Sequence, residues 1–343
     1  PEAQAGDIIA FSGIEGLGIS DTLCDPAAVE PLPALTVDEP TISMTFQVND
    51  SPFAGVKERS GGKFLTSRQL RDRLVRETQH NVALRVEDTA DADKFKVSGR
   101  GELHLSILIE SMRREGYELA VSRPEVIMRE IDGELQEPYE SLVVDLDEQY
   151  QGAVMGRLGE RRGQLRSMEP DGKGRVRLDY VIPARGLIGF QTEFRTLTAG
   201  TGLMFHVFDH YGPRTDGDIG QRSNGVLISN GTGPSPAYAQ IAMQERGRLF
   251  IEPGEEIYEG QIVGIHAKDN DLTVNALRGK QLTNFRAAGK DDDEGLVPPI
   301  RLSLEQALEF IDDDELVEVT PKAIRLRKKL RTEVERKRAS RAA

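Results

Sequence analysis

Hydrophobic and polar positions along the chain repeat one order of elements twice. In TISMTFQV, residues 41–48, Ile42, Met44, Phe46 and Val48 alternate with polar residues, the period of a half-buried strand. Thr66 followed by Gln69 is a capping-box signal. The helix it starts runs to about His80, with Leu70, Leu74 and Val75 inward and a row of arginines outward. Residues 82–86 and 95–97 read as strands. In SGRGELHLSILIESMRREGYEL, residues 98–119, Leu105, Leu108, Ile109 and Met112 recur at helical spacing. Arg113 and Arg114 fall in the last turn, where the helix dipole favours cations, and Gly116 fits a C′ cap. Tyr117, Leu119 and Val121 then alternate as a strand. The order is β-α-β-β-α-β, a ferredoxin-like module. Residues 49–64, which end in the run SGGKF, are polar and Gly-rich. They predict a mobile loop, poorly ordered at 61–63.

The second copy begins with a strand at 141–146. A helix follows at 151–162, with Val154, Met155 and Leu158 as its apolar stripe. Residues 164–168 and 175–183 read as strands joined by the hairpin signal DGKG. A short helix at 186–197 and a strand at 202–208 complete the order. Beyond Tyr211 the pattern loosens. Residues 212–236 are rich in Gly, Ser, Asn and Pro, and short apolar runs follow at 248–251, 262–266 and 272–277. Ser303 caps a helix whose Leu304, Ala307, Leu308 and Ile311 face inward, and ELVEVTP and AIRLRKK read as a final hairpin. The fold class is α+β and multidomain, since single cores rarely exceed roughly 250–300 residues and the chain has 343.

Charge changes the picture more than composition does. The formal net charge is −13, which opposes unfocused binding of nucleic acid. Yet Pro321 to Ala343 holds ten Lys or Arg and two Glu, while Asp291 to Glu318 holds eleven acids and one Arg. An acidic stretch before a basic tail suggests a polyanionic partner at one end; a solvated terminus is the alternative. Cys24 is the only cysteine, so no disulfide framework is possible. No apolar run approaches the ~20 residues of a membrane span, and no signal peptide is visible. The start at PEAQAGDII, without Met, suggests a chain that begins inside a domain.

Candidate chemistry is sparse. Gly99 and Gly101 precede a helix, where free N–H groups can cradle an anion. They form only G-x-G, without the third glycine of a dinucleotide fingerprint or the pattern of a P-loop. His80, His104, His206, His210 and His266 lack zinc-like spacing. Asp209 and His210 are adjacent, but no nucleophile is evident, and a structural pair is the simpler reading. Asp312, Asp313 and Asp314 offer a cation site or a solvated helix end. The run LRGKQLTNFRAAGK, residues 277–290, is the best functional element: Arg278, Lys280, Arg286 and Lys290 surround Asn284 and Phe285, and two glycines allow mobility. An ordinary basic surface loop is the alternative. Arg157, Arg161 and Arg162 are further RNA-contact candidates, against a solvated helix face. Arg325, Arg327, Lys328 and Lys329 are candidates from the tail.

The GELHL turn and helix of residues 98–119 resemble the third domain of the translational GTPases of the elongation factor G family. The module at 139–208, with YQGAVMGRLGERRGQL, resembles their fifth domain. PARGLIGFQTEFRTLTAGTGLMFHVFDHYGP, EFIDDDELVEVTP and GKQLTNFRAAG are similar to the BipA/TypA branch of that family. GDIIAFSGIEGLGISDTL looks like the end of the barrel-shaped second domain. The resemblance covers essentially the whole chain. It implies a β-barrel end at 1–38, ferredoxin-like domains III and V at 39–123 and 124–211, and a branch-specific β-rich C-terminal domain at 212–343. It also implies a ribosome- and RNA-binding, cytoplasmic, monomeric portion of a translational GTPase, acting in translation, ribosome assembly and stress response, with no membrane partner. The partners so implied are ribosomal RNA and A-site tRNA, with the 277–290 loop reaching the tRNA acceptor end. No P-loop, switch or guanine-specificity motif occurs. No cofactor is expected in these residues, GTP and Mg being assigned to an absent N-terminal half, so the glycine turn reads as a scaffold. The class-level alternative is a protein–protein adaptor without RNA binding.

Overall fold

The computed structural model describes residues 2–10, 12–14, 17, 19–33, 39–217, 219–220, 222–279 and 295–342. The first module comprises β1 (Ile42–Val48), α1 (Ser67–His80), β2 (Arg85–Asp88), β3 (Lys94–Gly99), α2 (Glu102–Glu115) and β4 (Leu119–Val121). Its strands lie in the order β4-β1-β3-β2, all antiparallel. This is the ferredoxin-like arrangement the periodicity predicts. Met44, Phe46, Phe95 and Val97 point from the sheet into a core closed by Leu70 and Leu74 of α1 and Leu105, Ile109 and Met112 of α2. Thr66 and Gln69 form the expected capping box. Gly116 takes the left-handed conformation at the end of α2, φ 102°, which favours glycine. Gly99 is demanded by space: a Cβ there would lie 2.8 Å from His104 Nδ1 and 2.9 Å from Leu105 Cδ2. The glycine turn is a packing joint between β3 and α2.

Two short strands follow. β5 (Glu125–Val126) pairs with β1, and β6 (Arg129–Ile131) pairs with β7 (Glu134–Asp147). β7 opens the second module, which continues with α3 (Gln151–Glu160), β8 (Gln164–Pro170), β9 (Arg175–Pro183), α4 (Ala184–Leu187), α5 (Phe190–Leu197) and β10 (Leu203–Pro213). Its order is β10-β7-β9-β8, the same ferredoxin-like sequence of strands in a separate sheet. Leu142, Val144, Leu178 and Ile182 meet Val154, Leu158, Phe190 and Phe194 in its core.

The C-terminal part contributes β11 (Val226–Ser229), β12 (Gly233–Pro234), α6 (Ala237–Gln244), β13 (Gly247–Leu249), β14 (Glu256–Ile257), β15 (Gln261–His266), β16 (Leu272–Val274), α7 (Leu304–Phe310), β17 (Glu315–Val319), β18 (Ile324–Lys328) and α8 (Glu333–Ala342). Its sheet does not stand alone. β17 pairs with β4, Val317 opposite Val121 and Val319 opposite Leu119, so one 11-stranded sheet runs from β16 to β2. Val226, Ile262, Leu304, Leu308 and Leu326 belong to the same apolar cluster as Phe46 and Met112.

Among the described residues of 1–38 the strand pairing is an isolated bridge between Asp25 and Ala28. One expectation is corrected here: the 49–64 loop is not loose. Asn49, Ser51, Phe53 and Ser60 are buried. Glu118, itself 2% exposed, accepts hydrogen bonds from the Gly62 N–H at 2.8 Å, the Gly55 N–H at 3.1 Å and the Asn49 amide at 3.2 Å. Glu318 accepts from Asn49, Ser51 and the Tyr258 hydroxyl. Two buried carboxylates, one from each half of the shared sheet, thus pin the loop. Buried charges persist only when so satisfied.

Candidate RNA interface

The basic tail divides into a buried half and an exposed half. In the hairpin of β17 and β18, Glu315 stands opposite Lys328 and Glu318 opposite Arg325. Arg325 pairs with Glu318 at 3.0 Å and its guanidinium lies over the Phe53 ring. Arg327 is 1% exposed and pairs with Asp50. Lys328 is 2% exposed, with Nζ 2.5 Å from Asp271 and 2.9 Å from both Asp314 and Glu315. Burial opposes its charge, but Glu315, Asp271 and Asp314 outweigh burial and hold its pKa above the ordinary value. The expectation that Arg325, Arg327 and Lys328 face RNA from a free tail is therefore corrected: cross-strand register sets Arg325 on Glu318 and Lys328 on Glu315, and Arg327 is buried against Asp50. Lys329 is exposed, its Nζ donating to the Asp313 carbonyl.

Beyond the strand the chain turns into α8. Thr332 caps it, accepting from the Glu335 N–H at 3.3 Å while Glu335 accepts from the Thr332 N–H at 3.1 Å, a reciprocal capping box. No residue of α8 is buried. Lys337, Arg338 and Arg341 are exposed. Lys337 pairs with Glu333 at 2.5 Å, whereas Arg338 and Arg341 have no ion pair among the described residues. Spaced three apart, they share one helix face. Arg336 donates to Thr273 Oγ1 at 3.3 Å, which fixes α8 beside β16. Arg278, also exposed, follows β16 directly. Arg278, past the edge strand β16, and Arg338 and Arg341 of α8, held beside that strand, are exposed cations, and Lys329 is exposed after β18. Lys280, Asn284, Arg286 and Lys290 lie outside the described residues.

The candidates on the second module are engaged within it. Arg157 ion-pairs with Glu193 and Glu160. Arg161 donates to the Gly186 and Ile188 carbonyls at 2.8 and 3.0 Å and sits over the Phe190 ring. Arg162 remains exposed. His210 and Asp209 do pair, at 2.6 Å, with the imidazole stacked on Tyr139. Asp312 and Asp313 hold Arg123, and Asp314 holds Lys328, so this acidic run ties elements together. Sequence reasoning missed Arg338 and Arg341. Their signal was available: the ELVEVTP–AIRLRKK hairpin sets Glu315 and Glu318 against Lys328 and Arg325, and Arg338 and Arg341 follow it with no such acids opposite.

Comparison with known proteins agrees with this architecture. A family profile described as "Elongation factor G C-terminus" matches residues 134–221, and one described as "TypA/BipA C-terminal domain" matches 224–333. The chain is 66% identical over 339 residues to a protein of Salmonella typhimurium LT2 named "Large ribosomal subunit assembly factor BipA", covering 99% of this chain and 55% of that one. Proteins of the same name from Haemophilus influenzae Rd and Buchnera aphidicola are 63% and 56% identical, with 99% of this chain covered and 54% and 55% of theirs. The chain thus spans about half the length of these relatives. Two family domains in series and an alignment across nearly every residue lead to one conclusion: the chain belongs to the BipA/TypA family.

Proposed function

We propose that this chain docks on the ribosome through RNA and serves assembly of the large subunit, as the names of its relatives indicate for those proteins. The observation that carries the reading is the set of exposed cations Arg278, Arg338 and Arg341 by the edge strand β16 of the shared sheet, with Lys329 after β18, on an otherwise acidic protein. Local positive charge against a formal −13 gives a focused contact for phosphate. The 277–290 segment starts past this edge strand, and we assign it the tRNA acceptor end in the ribosomal A site. No G-x-x-x-x-G-K-[ST] run occurs in these 343 residues, so GTP and Mg are assigned to the length of the relatives outside the match. On this reading the protein works as a cytoplasmic monomer.

Co-sedimentation with ribosomes across a salt series tests this. Binding should weaken with salt, and Arg338→Ala with Arg341→Ala should lower the log–log slope by roughly 0.7–0.9 per lost contact. A protein–protein adaptor would show neither dependence, and an unchanged slope in the double variant would remove the proposed interface.

A further inference from the structure

We propose that a pocket at the seam of the shared sheet takes the base of one unpaired RNA nucleotide. The cavity has a volume of about 490 Å³, within the range of small-ligand sites. It lies where β1 and β4 meet β17 and β18. Three polar groups line it without a partner among the described residues: the Thr45 hydroxyl, the Gln47 amide and the Nε–H of Arg327. Arg327 is 1% exposed. One of its terminal nitrogens donates to the Lys328 carbonyl at 3.2 Å and the other pairs with Asp50. Its Nε–H is a buried donor with nothing to meet, a costly state.

The chemistry of the lining selects the ligand. Asp50, Asp91 and Asp93 balance Lys94, Arg327 and Lys329, so the site has no net charge to hold a free anion or cation. Val48, Leu316 and Leu330 form apolar walls suited to the faces of a flat ring. Gln47 presents a donor and an acceptor together, the pattern that matches a base edge. Lys94, paired with Asp91 at 2.9 Å, and Lys329, donating to the Asp313 carbonyl, are the lining lysines that would exchange these partners for flanking phosphates. Unstacked bases held by edge hydrogen bonds are how proteins read single-stranded RNA. The inference deepens the RNA reading above and rests on it.

The test titrates the purified chain with 5′-labelled homopolymer RNA hexamers of each of the four bases, read by fluorescence anisotropy, beside the four ribonucleoside 5′-monophosphates. At least one hexamer should bind. Gln47→Leu should weaken it about 5- to 100-fold, the worth of a bidentate base contact, with the salt slope unchanged. Lys329→Ala should instead lower the slope. Gln47 is half-buried, so the variant should melt like the wild type; Thr45→Val provides a second, smaller loss. Equal affinity of wild type and Gln47→Leu for all four hexamers overturns the proposal. A monophosphate bound as tightly as its hexamer also overturns it, in favour of a free nucleotide. If wild type fails to sediment with ribosomes yet shows the Gln47-dependent hexamer binding, the docking reading falls and the pocket stands; ribosome binding without that dependence gives the reverse.

Discussion

Stability of the folded chain should fall as pH rises from about 4.5 to about 8, and Glu102, where α2 meets α7 and the second module, should be the main cause. Glu102 is the first residue of α2. Its Oε1 is buried and accepts no hydrogen bond. Around it stand Glu309 from α7, His206 from β10, Arg123 after β4 and the Gly189 N–H before α5; Arg161 of the second module also faces it. Burial first, then repulsion from Glu309, pushes its pKa from 4.5 up to about 8, against the pull of His206, Gly189 and Arg123. Glu309 is raised too, by burial, with Thr192 hydrogen bonds opposing. The sign follows from proton counting. The folded state keeps the proton to higher pH than the unfolded chain does, so stability is full below 4.5, falls through the window and is flat above it. At about 1.36 kcal/mol per pH unit, the loss is at most about 5 kcal/mol. The His206 pKa is raised by its hydrogen bond to Glu140, so its contribution is also lost as pH rises. Urea melts of wild type and Glu102→Gln from pH 5 to 9 separate the two. The variant should match wild type at the acid end, exceed it by a few kcal/mol at pH 8.5, and keep only the shallower slope left by His206 and Glu309. Superposable pH profiles would refute the reasoning.

Lys328→Met removes one charge from a site where Glu315 is fully buried; breaking such a pair costs about 3–5 kcal/mol, with the low end expected because Arg222 still holds Glu315 through two 2.9 Å bonds. A thermal melt within about 0.5 kcal/mol of wild type would contradict it. Gly62→Ala places a Cβ 2.2 Å from Glu118 Cγ, so the loop must leave its carboxylate. Cleavage by trypsin at Lys57 and Lys63 should then quicken, and unchanged cleavage would count against the clamp. Arg338→Ala with Arg341→Ala should leave the melting curve within about 0.5 kcal/mol, as for exposed residues elsewhere.

Both ferredoxin-like modules were legible because their signals are local. The alternation of Ile42 to Val48, the Thr66–Gln69 box and the Gly116 cap each act within a few residues. What periodicity could not reveal depends on partners far along the chain. The 49–64 loop looks polar and glycine-rich because its polar groups are spent on Glu118 and Glu318, the latter more than 250 residues away. The β4–β17 joint is equally remote. The tail was misread for a different reason. A net charge of a segment counts Arg325, Arg327 and Lys328 as available, whereas the hairpin register sets Lys328 against Glu315 and Arg325 against Glu318, and Arg327 pairs with the distant Asp50. Arg338 and Arg341 follow a separate capping box and have no such acids opposite.

The two ferredoxin-like modules are held by different kinds of bond, and this sets which part of the molecule can yield. The first module and the C-terminal strands share main-chain hydrogen bonds across β4 and β17 and one continuous core. Bending that seam breaks a ladder and opens apolar contacts together, so it is cooperative and costly. The second module has its own sheet and its own core. β5 ends at Val126 and β6 begins at Arg129, so two residues link the sheets. Described clamps across this boundary are made by side chains: Arg123 to the Gly220 carbonyl at 2.8 Å, Glu102 at the Gly189 turn and Glu309 at Thr192. Single hydrogen bonds contribute net only about 0.5–1.5 kcal/mol each, and Glu102 loses its contribution when it ionises. Orientation of the second module is therefore the softer coordinate. The exposed cations of α8 and the seam pocket lie on the stiff side of that boundary. A surface that must meet RNA in one register is best built there, where docking does not have to pay for ordering the sheet that carries it.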